Sequence, residues 1–232
     1  METLHSGITL DIPSGAFPLS TDSMALAHFV RLSKNARVLD LGSGCGTLGL
    51  LLCGLWENCH VTGLEIDPAA QEAALENIAR NGLEARMESL CADLRQFPLC
   101  PGSFDVCVSN PPYFTGGPAS QSHGNARRED LCSLEELMAT AAKAIKYGGD
   151  LFLVHKPERL SQICSEGARQ GLEAKRLRLL RHKEGGPVTL VLVALRKGAK
   201  PGLVWEEISL HDATGAPTEA YKEIYHVSPE MG

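Results

Sequence analysis

The sequence predicts an α/β protein built on a mostly parallel sheet of seven strands, with helices on both faces and an antiparallel hairpin at one edge. Three observations support this fold class. Short apolar runs alternate with segments of helical periodicity along most of the chain. A glycine-rich turn, Gly42–Gly46, follows the first of those runs. Two long runs, 172–182 and 187–197, flank Lys183-Glu184-Gly185-Gly186, which is a hairpin signal.

Length and composition exclude several classes of protein. The 232 residues suit one domain, which comprises an N-terminal extension and helix (1–35), an α/β core (36–200) and a C-terminal strand and helix (201–232). A hydrophobic content of 44% is enough for a sizeable core, and the net charge of −6 argues against a uniformly basic nucleic-acid binder. The chain has no apolar run of ~20 residues and its first residues do not resemble a signal peptide. We therefore expect a cytoplasmic protein without a membrane span.

Eight cysteines are spread along the chain, and no two of them have the C-x2-C spacing of zinc or redox sites. Several lie inside apolar runs, for example Cys53 and Cys107. We expect them to be buried, unpaired side chains in a reducing compartment, and we expect no metal site.

The N-terminal part predicts a helix that begins near residue 20. The polar stretch Ser20-Thr21-Asp22-Ser23 precedes an apolar periodic run, as polar caps do at helix starts. Asp22 has two interpretations, because it either caps this helix or presents its carboxylate to a bound cofactor. The sequence leaves both open.

The first strand and the turn after it carry the clearest ligand signal. Arg37–Leu41 runs into a glycine turn and then into a helix, which is the first unit of a Rossmann-like sheet. Thr47 occupies the place of the third glycine in the dinucleotide pattern G-x-G-x-x-G, so the spacing here is D-x-G-x-G-x-G. That spacing favours a ligand without phosphates whose charged amine meets the aspartate, and S-adenosyl-L-methionine is such a ligand. The residues assigned to it are Asp40, Gly42, Ser43, Gly44 and Gly46.

Acidic residues end the second and third predicted strands. Glu65 follows the glycine turn by about 20 residues, the spacing at which an acidic residue accepts hydrogen bonds from ribose hydroxyls. The neighbouring Ile66 is grouped with it, whereas Asp67-Pro68 is typical of a helix N-cap followed by proline. Asp93 ends the third strand and either binds the adenine amino group of the cofactor or is a surface turn residue.

The fourth strand, 104–109, ends in Asn110-Pro111-Pro112-Tyr113, the stretch with the most specific chemistry. The prolines stop the strand and keep the chain extended at the carboxyl edge of the sheet. The Asn110 side-chain oxygen and the Pro111 carbonyl could then accept both N–H groups of a planar amide or aromatic amine, on which Tyr113 stacks. The alternative is a proline turn in which the aromatic residues, Phe114 among them, cap the core.

The last third of the chain predicts a basic surface. Residues 169–200 carry nine basic side chains opposed by two acidic ones, and they form either a solvated edge or a surface for phosphates. His155-Lys156-Pro157-Glu158-Arg159 follows the fifth strand, 151–154, and adds charge beside it. The candidate substrate contacts are Lys156, Arg159, Arg176, Arg178 and Arg181, together with Phe114, Arg127 and Arg128 in the loop after the tyrosine.

These motifs resemble those of the class I methyltransferases that use S-adenosyl-L-methionine, and more narrowly those of the bacterial tRNA(Val) adenine-37 N6-methyltransferase family. The resemblance covers most of the chain. The stretches that carry it are 17–27, 38–46, 110–114, 126–129 and 155–160. Relatives often have histidine at the position of Arg128 and arginine at that of Lys156, and both differences keep basic character.

The resemblance implies a class I methyltransferase fold, a tRNA partner and methyl transfer to the exocyclic N6 of an adenine beside the anticodon. A base in a single-stranded loop is splayed out at low cost, and Asn110, Pro111 and Tyr113 would hold it. The amine becomes acidic as the methyl group arrives, so the reaction requires no strong general base. We expect a monomer or a homodimer.

Three alternatives remain open. Glutamine methyltransferases of release factors use the same Asn-Pro-Pro-Tyr motif, because a glutamine amide is also a planar NH2 donor, but those proteins carry a helical domain for which residues before Gly42 leave no room. DNA adenine methylation would call for a target-recognition domain that is not evident. A non-catalytic partner subunit would not need intact Asp40, Glu65 and Asn110.

Overall fold

A large mixed sheet organises the computed structural model, which describes residues 2–3, 7–12, 19–111 and 132–225. The strands are β1 (Glu2–Thr3), β2 (Thr9–Leu10), β3 (Arg37–Leu41), β4 (His60–Glu65), β5 (Met87–Cys91), β6 (Phe104–Ser109), β7 (Ile145–His155), β8 (Leu172–Lys183), β9 (Val188–Lys197) and β10 (Val204–His211). The helices are α1 (Thr21–Phe29), α2 (Thr47–Leu55), α3 (Pro68–Arg80), α4 (Leu134–Ala144), α5 (Leu160–Arg169) and α6 (Glu219–Tyr225). Among these strands, β1 pairs with β2, and the other eight form one sheet in the order β10-β8-β9-β7-β6-β3-β4-β5.

The strand directions confirm the predicted fold class and correct the strand count. Five neighbouring strands of the sheet, in the order β5-β4-β3-β6-β7, run parallel to one another. Strand β9 is antiparallel to both β7 and β8. We predicted seven strands with the hairpin at the edge, but β10 adds in parallel to β8 and becomes the edge strand. This pairing was not predictable from the sequence because β10 is largely exposed and lacks an apolar run.

Helices cover both faces of the sheet, as predicted, and each face has its own apolar core. On one face α1, α2, α3 and α6 contribute Phe29, Leu50, Ile78 and Ile224. On the other face α4 and α5 contribute Met138 and Ile163. Within the described ranges, no helix is long and apolar enough to cross a membrane.

Polar caps fix where the helices begin. Ser20 caps α1, because its Oγ accepts a hydrogen bond from the Ser23 N–H, so the interpretation of Asp22 as the cap is wrong. Asp67 caps α3 by accepting from the Ala69 N–H, with Pro68 in the first turn, as predicted.

Two glycines lie shortly after the junction between α4 and β7. The helix ends at Ala144, and Gly148 and Gly149 both lie inside β7. Gly148 has a positive φ of 81°, and a Cβ on Gly149 would lie 2.4 Å from the Asp105 carbonyl oxygen. The glycines therefore serve an irregular, closely packed strand, where the pairing with β6 shifts register.

Burial of the cysteines was predicted only in part. All eight are unpaired, and Cys45, Cys53, Cys59 and Cys107 are buried. Cys91 and Cys100 are exposed, which corrects the expectation for them. The remaining two, Cys132 and Cys164, are partly buried.

Candidate functional site

The glycine turn is anchored at the carboxyl edge of the parallel strands. The N–H groups of Gly42 and Ser43 both donate to the Leu64 carbonyl of β4, each at 3.0 Å. Gly42, Gly44 and Gly46 have φ values of 73°, 55° and 84°, a region that favours glycine. Their repetition therefore reflects a backbone shape that other residues would strain, and it leaves the turn without side chains that block a ligand.

Glu65 connects this turn to the start of α3. Its Oε2 accepts from the Gly44 N–H and its Oε1 from the Asp67 N–H, both at 2.8 Å. A carboxylate offers about four lone-pair sites, so two remain for ribose hydroxyls. Ile66 beside it is 37% exposed, which leaves an apolar surface next to the carboxylate. The ribose role of Glu65 stays a prediction.

Asp40 lies buried under the glycine turn, with a relative exposure of 1%. Burial, followed by the nearby Glu65 carboxylate, raises the pKa of Asp40 to about 7. Among the described residues, no donor reaches Asp40 Oδ2 or Ser43 Oγ, although both atoms are buried. A cationic amine at this turn would supply the missing donor and favour the ionised carboxylate. The residues present therefore fit the charged amine of S-adenosyl-L-methionine.

Asp93 follows the end of β5, as predicted, but its carboxylate already has a partner. Arg95 Nε donates to Asp93 Oδ1 at 2.9 Å and to Oδ2 at 3.0 Å. These bonds are the main reason that the pKa of Asp93 lies below its ordinary value. An adenine amino group would share this carboxylate with Arg95, and the assignment stays a prediction.

Asn110 follows β6 and is oriented by a residue that sequence reasoning did not find. Its Nδ2 donates to Ser23 Oγ in the first turn of α1, at 2.9 Å. The side-chain oxygen of Asn110 is thus the end of the amide that this bond leaves available as an acceptor. The one local signal for Ser23 was its place in the polar helix start. Pro111 is buried, while Pro112, Tyr113, Phe114, Arg127 and Arg128 lie outside the described residues.

The same turn of α1 brings Asp22 near the segment that follows β7. Burial raises the pKa of Asp22, and the positive charge of Lys156 opposes this shift. His155, the last residue of β7, is buried, and its Nδ1 accepts from the Lys156 N–H at 2.8 Å. Burial and the charge of Arg159 lower the pKa of His155 to about 4, so it is neutral at pH 7. Lys156 and Arg159 follow β7, which is hydrogen-bonded to β6, the strand that ends just before Asn110.

The basic hairpin residues are more strongly paired than the sequence indicated. Arg178 lies 2.8 Å from Glu206 Oε1, and Arg181 lies 3.1 Å from Glu207 Oε2. Both acidic partners come from β10, whose position was not predicted. The guanidinium of Arg176 lies 4.5 Å from the centre of the Phe29 ring. Contacts of these three arginines with a substrate stay predictions.

Metal-ligating side chains are dispersed. In the part of the chain that the structure describes, no three His, Cys, Asp or Glu side chains converge on a point that could hold a metal ion. The expected absence of a metal site stays a prediction.

Several solved methyltransferases have this fold. A predicted O-methyltransferase, protein Atu636 from Agrobacterium tumefaciens, superposes with a TM-score of 0.74 at 22% identity, over 88% of this chain and 95% of that one. A TehB-like SAM-dependent methyltransferase from Corynebacterium glutamicum has a TM-score of 0.54 at 18% identity, over 76% and 88% of the two chains. The fold is therefore the class I methyltransferase fold.

Sequence comparison narrows the class to a family. Residues 19–162 match the model of the methyltransferase small domain, and the chain belongs to that family. A relative from Bacteroides fragilis is 30% identical over an alignment of 220 residues that covers 90% of this chain and 91% of the relative. A second, from Bacteroides thetaiotaomicron, is 30% identical over 90% of this chain and 89% of its own. Both relatives are named tRNA1(Val) (adenine(37)-N6)-methyltransferase.

Proposed function

We propose that this single-domain protein, as a cytoplasmic monomer or homodimer, transfers a methyl group from S-adenosyl-L-methionine to the N6 amino group of an adenine in tRNA. Adenine 37 of tRNA(Val) is the expected target, because relatives that match 90% of the chain carry that name. The observation that carries the proposal is the orientation of Asn110 beside the glycine turn.

The bond from Asn110 Nδ2 to Ser23 Oγ supports a role as an acceptor for the substrate amine. With the nitrogen end of the amide engaged, the oxygen end accepts one N–H of the target amino group, and the Pro111 carbonyl accepts the other. Two acceptors fix the plane of the amino group and aim its lone pair. The adenine amine is a weak nucleophile because its lone pair is delocalised, so this positioning supplies a large part of the rate.

The cofactor pocket of this proposal comprises the glycine turn with Asp40 and Glu65, and Asp22, Ile66 and Asp93 at its margins. S-adenosyl-L-methionine supplies an electrophilic methyl group when it is bound. Asp40 balances the charge of the cofactor amine, and the remaining lone pairs of Glu65 accept from the ribose. Asn110 is held by Ser23 at the same edge of the sheet, so α1 aligns the acceptor of the amine with the cofactor turn.

The proposed reaction needs no strong base. The target nitrogen loses a proton only after the methyl group has arrived, when it has become acidic. The Asn110 oxygen and the Pro111 carbonyl hold the N–H groups until that proton leaves to water.

Single-turnover methylation tests the proposal. Tritiated cofactor is offered with unmodified tRNA, with release factor or with DNA, and the modified position is mapped by mass spectrometry. We expect tRNA to be methylated, and Asn110→Ala to lower its rate by roughly two orders of magnitude while cofactor affinity persists. Tyr113→Ala should also lower the rate, whereas Tyr113→Phe keeps a ring for stacking and should retain most of it.

A matched control is Asn58→Ala, which removes an exposed asparagine from a turn before β4 and should leave the rate unchanged. Near-normal turnover in Asn110→Ala would contradict the proposed role of the motif. Label transfer to release factor but not to tRNA would show that the substrate is a glutamine amide and not an adenine.

A further inference from the structure

A cavity of about 250 Å³ lies between the end of α1 and the edge of the sheet formed by β8 and β10. We call it the arginine pocket. Three arginines and one glutamate line it, so it has a formal excess of positive charge. The lining residues are Arg31, Arg176, Leu177, Arg178, Val204, Trp205 and Glu206.

Packing and hydrogen bonds hold the guanidinium groups in place. Arg176 and Arg178 lie 4.5 Å and 5.3 Å from the centre of the Phe29 ring. Arg178 is also paired with Glu206, and Arg31 Nη1 donates to the His28 carbonyl at 2.8 Å. A guanidinium that is already fixed loses little conformational freedom when it binds an anion.

The charge balance of the arginine pocket favours an anion. Glu206 compensates one of the three positive charges, and Arg176 stays close to two like charges. Burial, followed by the charges of Arg31 and Arg178, lowers the pKa of Arg176. A guanidinium offers five N–H donors in a planar fork that matches the oxygens of a phosphate, so a phosphate would offset this repulsion.

The position of the arginine pocket relates it to the proposed methylation site. Ser23, which contacts Asn110, precedes Phe29 by six residues of α1, or roughly 9 Å at 1.5 Å per residue. Three strand spacings separate β6 from β8, or roughly 14 Å. Phosphates repeat every few ångströms along an RNA strand, so both sites lie within the span of a few nucleotides.

Apolar surface at the arginine pocket favours a nucleotide over an isolated anion. Val204 is 72% exposed and Trp205 is 61% exposed, although both are large and apolar. Val204 pairs with Arg176 and therefore lies on the same face of the sheet as the guanidinium groups, whereas Trp205 pairs with Leu177 on the opposite face. Val204 thus offers an exposed apolar contact to the sugar or base that accompanies a phosphate.

We propose that the arginine pocket binds a backbone phosphate of the RNA substrate a few nucleotides from the target base, with Val204 next to the neighbouring nucleotide. The inference rests on the proposed function, which makes RNA the substrate. It adds Arg31 and Val204 to the contacts expected from the sequence. It also excludes Arg181, which is paired with Glu207 and donates to the Gly186 carbonyl.

The test measures tRNA affinity as a function of salt concentration for four proteins. Arg31→Ala removes an exposed arginine and Arg176→Ala a half-buried one, while Arg181→Ala on the same strand is the matched control. Each of the first two should weaken binding about three- to tenfold and reduce the slope of log K against log salt by roughly 0.7–0.9. Arg181→Ala should keep the wild-type slope, and cofactor affinity should be equal in all four.

Arg176→Lys adds a second measurement that does not depend on the packing of the alanine variant. It keeps the charge and should keep the salt slope, while losing the affinity that comes from the planar fork. Wild-type slopes in both alanine variants would overturn the inference, as would an equal loss in Arg181→Ala. Wild-type protein that neither binds nor methylates tRNA would instead overturn the proposed function.

Discussion

The buried carboxylate of Asp40 makes the stability of the protein depend on pH in a way that one substitution removes. Burial, followed by the neighbouring Glu65 carboxylate, raises its pKa from the ordinary value of 3.8 to about 7. Because the folded pKa lies above the unfolded one, the contribution of Asp40 to stability is intact below pH 3.8. It is lost progressively as the pH rises, and the loss is complete above pH 7.

The size of the effect follows from the shift. About 3 pKa units correspond to about 4 kcal/mol at 1.36 kcal/mol per unit. Part of this is already lost at pH 5, so about 2.5 kcal/mol falls between pH 5 and pH 8.5. The substitution Asp40→Asn keeps the shape of the side chain and removes the ionisation. The free energy of unfolding of the variant, relative to that of wild type, should therefore rise by about 2.5 kcal/mol between pH 5 and pH 8.5.

Urea unfolding of wild type and Asp40→Asn at pH 5 and pH 8.5 measures the gain. The amide introduces a donor at a buried position, but its cost is the same at both pH values and cancels in the comparison. Asp212→Asn is the control, because hydrogen bonds from Thr214 and from the Ala216 N–H lower the pKa of this exposed carboxylate. That variant should show no change over the interval. Parallel stability profiles of wild type and Asp40→Asn would refute the reasoning.

Two further predictions concern the supports of the glycine turn. Glu65→Ala removes the acceptor for the Gly44 N–H and the proposed ribose ligand, so calorimetry should show at least a tenfold loss of S-adenosyl-L-methionine affinity, with Glu65→Gln intermediate. Unchanged affinity would place the ribose elsewhere. Asn77 is fully buried and its Nδ2 donates to the Cys45 carbonyl at 3.1 Å, so Asn77→Ala should lower the free energy of unfolding by about 3 kcal/mol. The exposed Asn58→Ala should change it by less than about 0.5 kcal/mol, and equal losses would contradict the role of Asn77.

Local patterns predicted the elements around the site closely. The bounds of β3 and β6 follow from short apolar runs that a glycine turn or a proline pair ends. The cap at Asp67 followed from its proline neighbour. Such features depend on residues a few positions apart, and their physical causes are steric limits on the backbone and single hydrogen bonds.

Features that depend on distant partners were not predictable in this way. Nothing near Val204–His211 indicates a strand that pairs in parallel with β8, since the pairing partner is a separate segment of the chain. The charge of the hairpin was overestimated for the same reason, because Glu206 and Glu207 neutralise Arg178 and Arg181 only once β10 lies beside β8.

The sequence by itself determined the parallel sheet, the glycine turn for a cofactor and an asparagine at a proline-stopped strand end. Tertiary structure decided how these act together. Ser23 and Asn110 are 87 residues apart, and their hydrogen bond exists because α1 packs across the parallel strands. The arginine pocket likewise combines Arg31, which follows α1, with residues of β8 and β10. Side-chain orientation and net local charge are set by neighbours in space, and the order of residues along the chain does not specify those neighbours.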